Sequence, residues 1–219
     1  MAFTLPNGST IDLASTYSAE VVVESISNTN PAVVTATGHG FAEGDIVQLS
    51  TSWELLNNRS FLVGDVTTDT FQLLGAGNDT TNTSFYPVGS SGGVVKAVET
   101  WTTINQITAV EFGGGEQEEL TVQFLASRTQ INIPTVKSAI SMTLTVADDP
   151  TQLYVPVVQG YDFDLSINTL RMNLVNGDSI LYPAIVTFSP TPTVTINELL
   201  TNTISLSVQA TPTRYTRPE

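Results

Sequence analysis

The 219-residue sequence has no cysteine and only one histidine, His39. The lack of cysteine excludes disulfide bonds, thiolate nucleophiles and cysteine-ligated zinc or iron–sulfur sites. His39 stands between Gly38 and Gly40, without a second histidine to form a catalytic or metal site, so a structural role in a turn is expected. The sequence therefore predicts no catalytic residue, no metal site, no cofactor and no enzyme activity.

Basic residues are scarce as well. Seven Lys and Arg stand against 21 Asp and Glu, giving a formal net charge of −14. Such a chain lacks the cations whose counterion release drives binding to nucleic-acid phosphates. Only 13% of the residues are charged and 41% are hydrophobic, which is typical of a folded protein with an uncharged polar surface. At about 150 residues per domain, the length allows one large or two small domains.

Long hydrophobic runs are also missing. No stretch approaches the roughly 18 apolar residues of a membrane span, and the N-terminus lacks the apolar segment of a secretory signal. The sequence predicts a protein made in a cytoplasm, with no membrane partner.

A two-residue period of apolar and polar side chains is the main pattern present. It covers residues 120–124, 140–146 and 204–208 and predicts half-buried antiparallel strands. Residues 170–182 predict a hairpin with a type I′ turn at Asn176-Gly177. One short helix is predicted over residues 151–159, opened by an acidic cap and Pro150 and limited by Pro156.

Residues 20–97 have a different rhythm. Short apolar runs recur there at the spacing of a small barrel or sandwich, before a polar loop at residues 75–93. Longer alternating strands begin near Trp101. This change predicts a small β-barrel domain, residues 20–97, inserted in a larger domain made of residues 1–19 and 98–219.

Charge is unevenly distributed after this boundary. Five acids and no base occur from Glu99 to Glu119, whereas residues 120–147 contain two bases, Arg128 and Lys137, and no acid. The contrast suggests surfaces that attract each other between copies of the protein, with chance in a base-poor chain as the alternative.

Two parts of the chain resemble known phage proteins. The small β-barrel module of phage virion proteins that is named after a region of ubiquitin-activating enzymes is similar to residues 35–41 (TATGHGF), 44–50 (GDIVQLS) and 70–73 (TFQL). The lambda-like major tail tube proteins of long-tailed phages are similar to residues 114–117 (GGEQ), 133–139 (IPTVKSA), 147–150 (ADDP) and the 170–182 hairpin.

The resemblance implies an all-β protein: an antiparallel sandwich or barrel tail-tube fold with one short helix and an inserted small β-barrel. It implies a structural virion protein that forms hexameric rings, stacked into the tube that conducts DNA during ejection. The implied partners are further copies of the chain, the tape measure, terminator and distal tail proteins, and DNA that passes without specific binding. The implied location is the virion tail, after assembly in the host cytoplasm.

The resemblance also implies residue roles. Residues 120–124 and 140–146 would be inner-barrel strands with Leu120 and Val122 in the core, and residues 125–138 a long loop that reaches the next ring. The residues expected to face the lumen are Thr121, Gln123, Ser141, Thr143 and Thr145. Contacts between subunits and stacked rings are expected at Arg128, Ile133, Pro134 and Lys137, with Glu116, Glu118 and Glu119 as acidic partners.

Two alternatives remain open from the sequence. Acidic, cysteine-free Ig-like or lectin-like binding modules of virion or bacterial surfaces have a similar composition. The second alternative is a hydrolase that uses two carboxylates, since folding can bring any two acidic side chains together.

Overall fold

Turn-separated runs rich in Thr and Val form strands throughout residues 7–216, the part of the chain that this computed structural model describes. The first eight strands are β1 (Thr10–Tyr17), β2 (Val21–Val23), β3 (Ser25–Ile26), β4 (Val33–Thr35), β5 (Ile46–Thr51), β6 (Arg59–Gly64), β7 (Thr70–Leu74) and β8 (Gly93–Ile104). The remaining elements are β9 (Ile107–Gly113), β10 (Gln117–Val122), β11 (Ile131–Lys137), β12 (Ser141–Ala147), α1 (Tyr154–Asp164), β13 (Ile167–Asn173), β14 (Ser179–Thr193), β15 (Thr201–Val208) and β16 (Thr213–Tyr215). The fold is all-β with one short helix, as predicted.

Most strands belong to one curled antiparallel sheet. Its order is β3-β4-β7-β6-β5-β8-β1-β13-β14-β15-β12-β9, with β16 paired to β14 and β2 paired to β8. Strands β10 and β11 form a separate two-stranded sheet. No helix within residues 7–216 is long and apolar enough to cross a membrane.

Two large apolar cores lie along this sheet, and a small third cluster, Ala14, Ile46, Val98 and Leu181, joins residues of β1, β5, β8 and β14. The first contains only residues between Val23 and Ala97, including Trp53, Phe61 and Phe71. The second combines β1 with residues from Ile104 to Val208. Every short apolar run predicted as a strand in residues 20–97 lies in or overlaps one of β2 and β4–β8, and the polar stretch between β7 and β8 contains no strand or helix, as expected.

Strand β8 joins the two cores without a break. Its first residues pair with β2 and β5, for example Val95 with Leu49. Its last residues pair with β1, ending with Ile104 opposite Ile11. One strand thus crosses the position where the change in sequence rhythm predicts a domain boundary.

The helix exists as predicted but begins later and runs longer. Asp149 accepts hydrogen bonds from the Thr151 backbone and hydroxyl and from Gln152, which lowers the pKa of Asp149 to about 2 and holds the chain in a turn. Helix α1 starts only at Tyr154. Pro156 is its third residue, where a backbone N–H would have no partner within the helix, so the proline neither limits nor breaks it.

The hairpin of β13 and β14 is confirmed, but its turn is not type I′. Leu174 and Asp178 close a three-residue loop, and within that loop only Gly177 has a positive φ, of 89°. The Asn176 side chain accepts a hydrogen bond from the Asp178 backbone. This geometry fits a three-residue loop with glycine at the left-handed position, and Asn176 does not need that conformation.

Buried polar contacts fix the first core against β13 and β16. The Tyr215 hydroxyl donates to the Leu74 carbonyl at 2.8 Å and accepts from the Leu62 backbone N–H at 2.9 Å. The buried Arg59 guanidinium donates to the carbonyls of Ala76 and Gly77 and to the Thr213 hydroxyl. These bonds anchor β16 to both parts of the sheet.

We expect the substitution Tyr215→Phe to lower the free energy of unfolding by about 1–3 kcal/mol, because it leaves the Leu62 N–H and the Leu74 carbonyl without their partner. Urea unfolding measures this change. Tyr86→Phe is the matched control, since the hydroxyl of that buried tyrosine makes no hydrogen bond within residues 7–216. Equal effects of the two substitutions would contradict the anchoring role.

Burial also raises the pKa of Tyr215 to about 12. The neutral phenol therefore stabilises the fold fully below its ordinary pKa of 10, and this contribution is lost as the pH rises towards 12. In the same unfolding measurement, the Tyr215→Phe variant should lose less free energy of unfolding than the wild type between pH 10 and pH 12.

We expect Gly114→Ala to loosen the β10–β11 hairpin. Gly114 has a φ of +76°, and an added Cβ would lie 1.8 Å from the Ala139 carbonyl oxygen at the hairpin base. Limited proteolysis between residues 114 and 140 should become about tenfold faster, the effect of ~1.4 kcal/mol on local opening. Gly38→Ala shares the positive φ but meets no atom within 4 Å, and it should leave hairpin cleavage unchanged. Equal cleavage of both variants would rule out the steric explanation.

Candidate functional site

One face of the strands β9, β12, β15 and β14 is rich in hydroxyl groups. Side chains directly opposite each other in antiparallel strands point to the same side of a sheet. Thr143 lies opposite Glu111 on β9 and Ser205 on β15, and Ser205 lies opposite Thr187 on β14. We call this set the hydroxyl face: Ala109, Glu111, Ser141, Thr143, Thr145, Thr187, Ser189, Thr203, Ser205 and Ser207.

The opposite face of the same strands fixes this orientation. Met142, Leu144 and Val146 are fully buried there and belong to the second core together with Tyr154 and Val158 of α1. The hydroxyl face is therefore held away from the core, and Glu111 is its only ionisable residue. A surface of this composition offers hydrogen bonds but no cation.

The five residues expected to face a lumen fall into two groups. Ser141, Thr143 and Thr145 share the hydroxyl face. Thr121 lies on β10 in the separate hairpin, and Gln123 follows the end of that strand. The sequence pattern alone did not indicate Glu111, Thr187, Thr203 and Ser205 as neighbours, since this needs the strand register.

The predicted environment of β10 is wrong. Leu120 is 56% exposed and Val122 is only partly buried, so neither forms part of a core in this chain. The alternation correctly indicates a strand, but within residues 7–216 β10 pairs only with β11, and its apolar side is largely exposed. The residues predicted as a long loop, 125–138, include β11, which pairs with β10 to form a two-stranded hairpin over residues 117–137.

The hairpin has an apolar and a polar side. Leu120 lies opposite Ile133, and Val122 opposite Ile131. On the other side, the Thr121 hydroxyl donates to Asn132 Oδ1 at 3.0 Å. Asn132 Nδ2 in turn donates to Glu119 Oε2 at 2.9 Å. The polar side is thus ordered by its own hydrogen bonds, while the apolar side is exposed.

All the charged residues expected at subunit contacts lie on this hairpin or at its base. Within the described part of the chain, neither Arg128 nor Lys137 lies within 4.0 Å of a carboxylate oxygen. The remaining cations of residues 7–216 have partners: Arg171 binds Asp12, Arg214 binds Asp178, Arg59 is buried, and Lys96 lies over the Tyr17 ring. Both unpartnered cations therefore project on one hairpin.

Strand β9 is a free edge of the sheet. It pairs with β12 on one side, and no strand among residues 7–216 pairs with its other side. Six of its seven residues are exposed, and an open groove of about 500 Å³ runs beside it, lined by Ile11, Val110, Phe112 and Met172 among others. An exposed edge strand presents unpaired N–H and C=O groups to another chain. The β-branched and aromatic residues Ile107, Thr108, Val110 and Phe112 are the sequence signal that would have indicated this strand.

His39 has the structural role expected for it. The side chain is buried, and Nδ1 accepts a hydrogen bond from the Phe41 backbone N–H at 3.0 Å. The imidazole ring packs against Phe41 and Phe71. The ring is therefore part of the first core.

Three solved structures are similar to about half of the chain. The virion of a native gene transfer agent particle is similar at 10% identity and a TM-score of 0.41, over 53% of this chain and 89% of that chain. The tail of an empty gene transfer agent particle, refined with C6 symmetry, is similar at 12% identity and a TM-score of 0.41, over 52% of this chain and 85% of that chain. The tube-terminating cap of the anti-feeding prophage is similar at 15% identity and a TM-score of 0.37, over 52% of this chain and 83% of that chain.

Curated protein sequences give no match to the chain. The model of one protein family, described as phage tail tube protein, matches residues 51–217. This match spans well over half of the sequence and includes the hydroxyl face, the edge strand β9 and the β10–β11 hairpin. The chain therefore belongs to the phage tail tube protein family and is a structural, non-enzymatic protein of the virion tail.

Proposed function

We propose that six copies of this protein form a ring, that rings stack head to tail into the tail tube, and that DNA passes through the tube during ejection. The observation that carries the proposal is a four-stranded patch with a cation-free hydroxyl face and a free edge at β9. The resemblance to lambda-like tail tube proteins supports the hexameric ring, and family membership supports the tube.

Ring closure would join the sheets of neighbouring copies. The patch has two edges: β9, and the part of β14 after Ile185, which pairs with β15 but not with β13. Pairing β9 of one copy with a neighbour would satisfy its backbone groups and remove an exposed edge. At the β14 edge, Asp162 already accepts the Phe188 N–H, so this one N–H would not be available to a neighbouring strand.

The hydroxyl face would line the channel. Ser141, Thr143 and Thr145 lie on it, and the absence of Lys and Arg means that DNA phosphates would pass without being retained. Thr121 and Gln123 remain predicted lumen residues at the hairpin, which would place them near the junction between rings.

The hairpin would make the stacking contact. Ile133 and Pro134 lie on β11, and Ile133 is exposed. Pairing of Arg128 and Lys137 with Glu116, Glu118 and Glu119 of a neighbouring copy remains a prediction. A partly exposed pair contributes about 0–1 kcal/mol, but each ring repeats it six times.

We also propose that residues 20–97 are an inserted small β-barrel domain, with residues 1–19 and 98–219 as the tube domain; residues 1–6 lie outside the described part. The separate first core supports this division. The inserted domain would project outwards, because a domain of this size would block the channel. Tape measure, terminator and distal tail proteins would be the further partners, and assembly would take place in the host cytoplasm.

Val110→Lys tests ring closure. A lysine on the edge strand would have to be buried between copies, so rings should fail to form while the monomer keeps its melting temperature. Negative-stain electron microscopy and light scattering over a concentration series measure this. Val22→Lys, on an exposed residue of the first core's sheet, is the matched control. Rings of Val110→Lys at wild-type concentrations would refute closure through β9.

The double substitution Arg128→Glu and Lys137→Glu tests stacking. We expect it to abolish tube growth while single rings persist, because it removes both unpartnered cations. The charge-conserving pair Arg128→Lys and Lys137→Arg should still grow tubes in the same microscopy assay. Normal tubes from the double Glu variant would contradict the role of these charges, and a wild-type protein that is monomeric at every concentration would favour the alternative of a monomeric binding module.

A further inference from the structure

A small acidic cavity lies beside the start of α1. Its volume is about 100 Å³, and its lining includes Asp148, Asp149, Tyr154, Gln159 and Asn202. A space of this size holds the head group of one side chain but not a larger ligand. Its two carboxylates give it a negative charge.

The cavity also contains an acceptor without a donor. Asn202 is 7% exposed, and its amide nitrogen donates to Asp148 Oδ1 at 2.6 Å. Its amide oxygen is buried and has no hydrogen-bond partner within residues 7–216. A buried polar atom without a partner is costly. A cationic N–H donor entering the cavity would satisfy this oxygen and the Asp148 carboxylate together.

The cavity and the hairpin lie at opposite ends of β12. The cavity lies where β12 ends and β15 begins, at Ala147 opposite Thr201. The hairpin leaves the other end of the same strands, where Ser141 lies opposite Gly113 and Ser207. The two ends are six residues apart along β12, or roughly 20 Å. A head-to-tail stack along the strand direction would place the hairpin of one copy against the cavity of the next.

The apolar surfaces at the two ends match as well. The loop between β14 and β15 exposes Val194, Ile196 and Leu199, and the Leu200 carbonyl at its end accepts a hydrogen bond from the Asp148 backbone. At the other end, the hairpin tip exposes Phe124 and Leu125. Each end therefore carries exposed apolar side chains next to a charge, and the two charges have opposite signs.

We propose that this cavity receives the Arg128 guanidinium of a second copy of the chain, stacked head to tail. The proposal rests on the tube assembly proposed above and names the surface that accepts the hairpin. Arg128 lies in the turn between β10 and β11, whereas Lys137 pairs opposite Gln117 near the hairpin base. A planar guanidinium can donate to a carboxylate and to a neighbouring amide oxygen at the same time.

The first test is Asp148→Asn, which removes the charge and keeps the shape of the side chain. We expect the critical concentration for tube growth to rise about tenfold, as for the loss of a partly buried charged hydrogen bond, with the monomer melting as wild type. Glu43→Gln, the same change from carboxylate to amide on an exposed residue in the turn before β5, is the matched control. Equal critical concentrations for Asp148→Asn and wild type would overturn the proposal but leave tube assembly intact.

A charge exchange makes the test specific. Arg128→Asp alone and Asp148→Arg alone should each prevent stacking, and the double variant should recover it at least in part. Failure of the double variant to exceed both single variants would contradict a direct contact.

The absence of native cysteine allows a direct proximity measurement. Gln130→Cys and Gln159→Cys proteins both keep Arg128 and Asp148, and Gln159 lies in the cavity lining. Mixed under assembly conditions with a short bismaleimide, they should yield a mixed cross-linked dimer. Gln130→Cys mixed with Glu43→Cys should not. If the wild-type protein forms rings or tubes and the first mixture gives no dimer, the cavity is not the receptor; if no assembly occurs at all, the proposed function fails with it.

Discussion

The two-residue period of β12 and β15 is the constraint on which the rest of the structure depends. Every second side chain of these strands is buried, and all of these except Asn202 are apolar and belong to the second core with α1. The intervening side chains are then free to be small and polar. The same requirement that stabilises the fold thus creates the hydroxyl face, beside which β9 ends the sheet with no strand of residues 7–216 on its outer side.

Strands β12 and β15 could be predicted from the sequence because burial on one side imposes alternation, and the strands of the first core could be predicted from short, regularly spaced apolar runs, whereas β1 and β9 were not predicted. Residues 120–124 alternate in the same way as 140–146, yet only β12 is covered. Alternation reports that a strand has two chemically different sides, and it does not report what packs on them. The start of α1 could not be predicted either, because Asp149 uses its carboxylate to close a turn before the helix rather than to cap it.

The hydroxyl face could not be predicted from the sequence, because its composition depends on the register between strands that are far apart in the chain. Thr143 and Thr187 share a face only through Ser205 between them. The family match begins at residue 51, inside the first core, and continues through the second. The cores are distinct in their packing but share β8 and the polar contacts of Arg59 and Tyr215.

The continuity of β8 has a mechanical consequence. A force that pulls the first core along the direction of β8 acts on a strand whose last residues are paired with Ile11–Tyr17 of β1. Pulling along a paired strand loads its hydrogen bonds in shear, so that they must break together rather than one at a time. The first core is therefore coupled stiffly to the second core, and a load on one part strains the other.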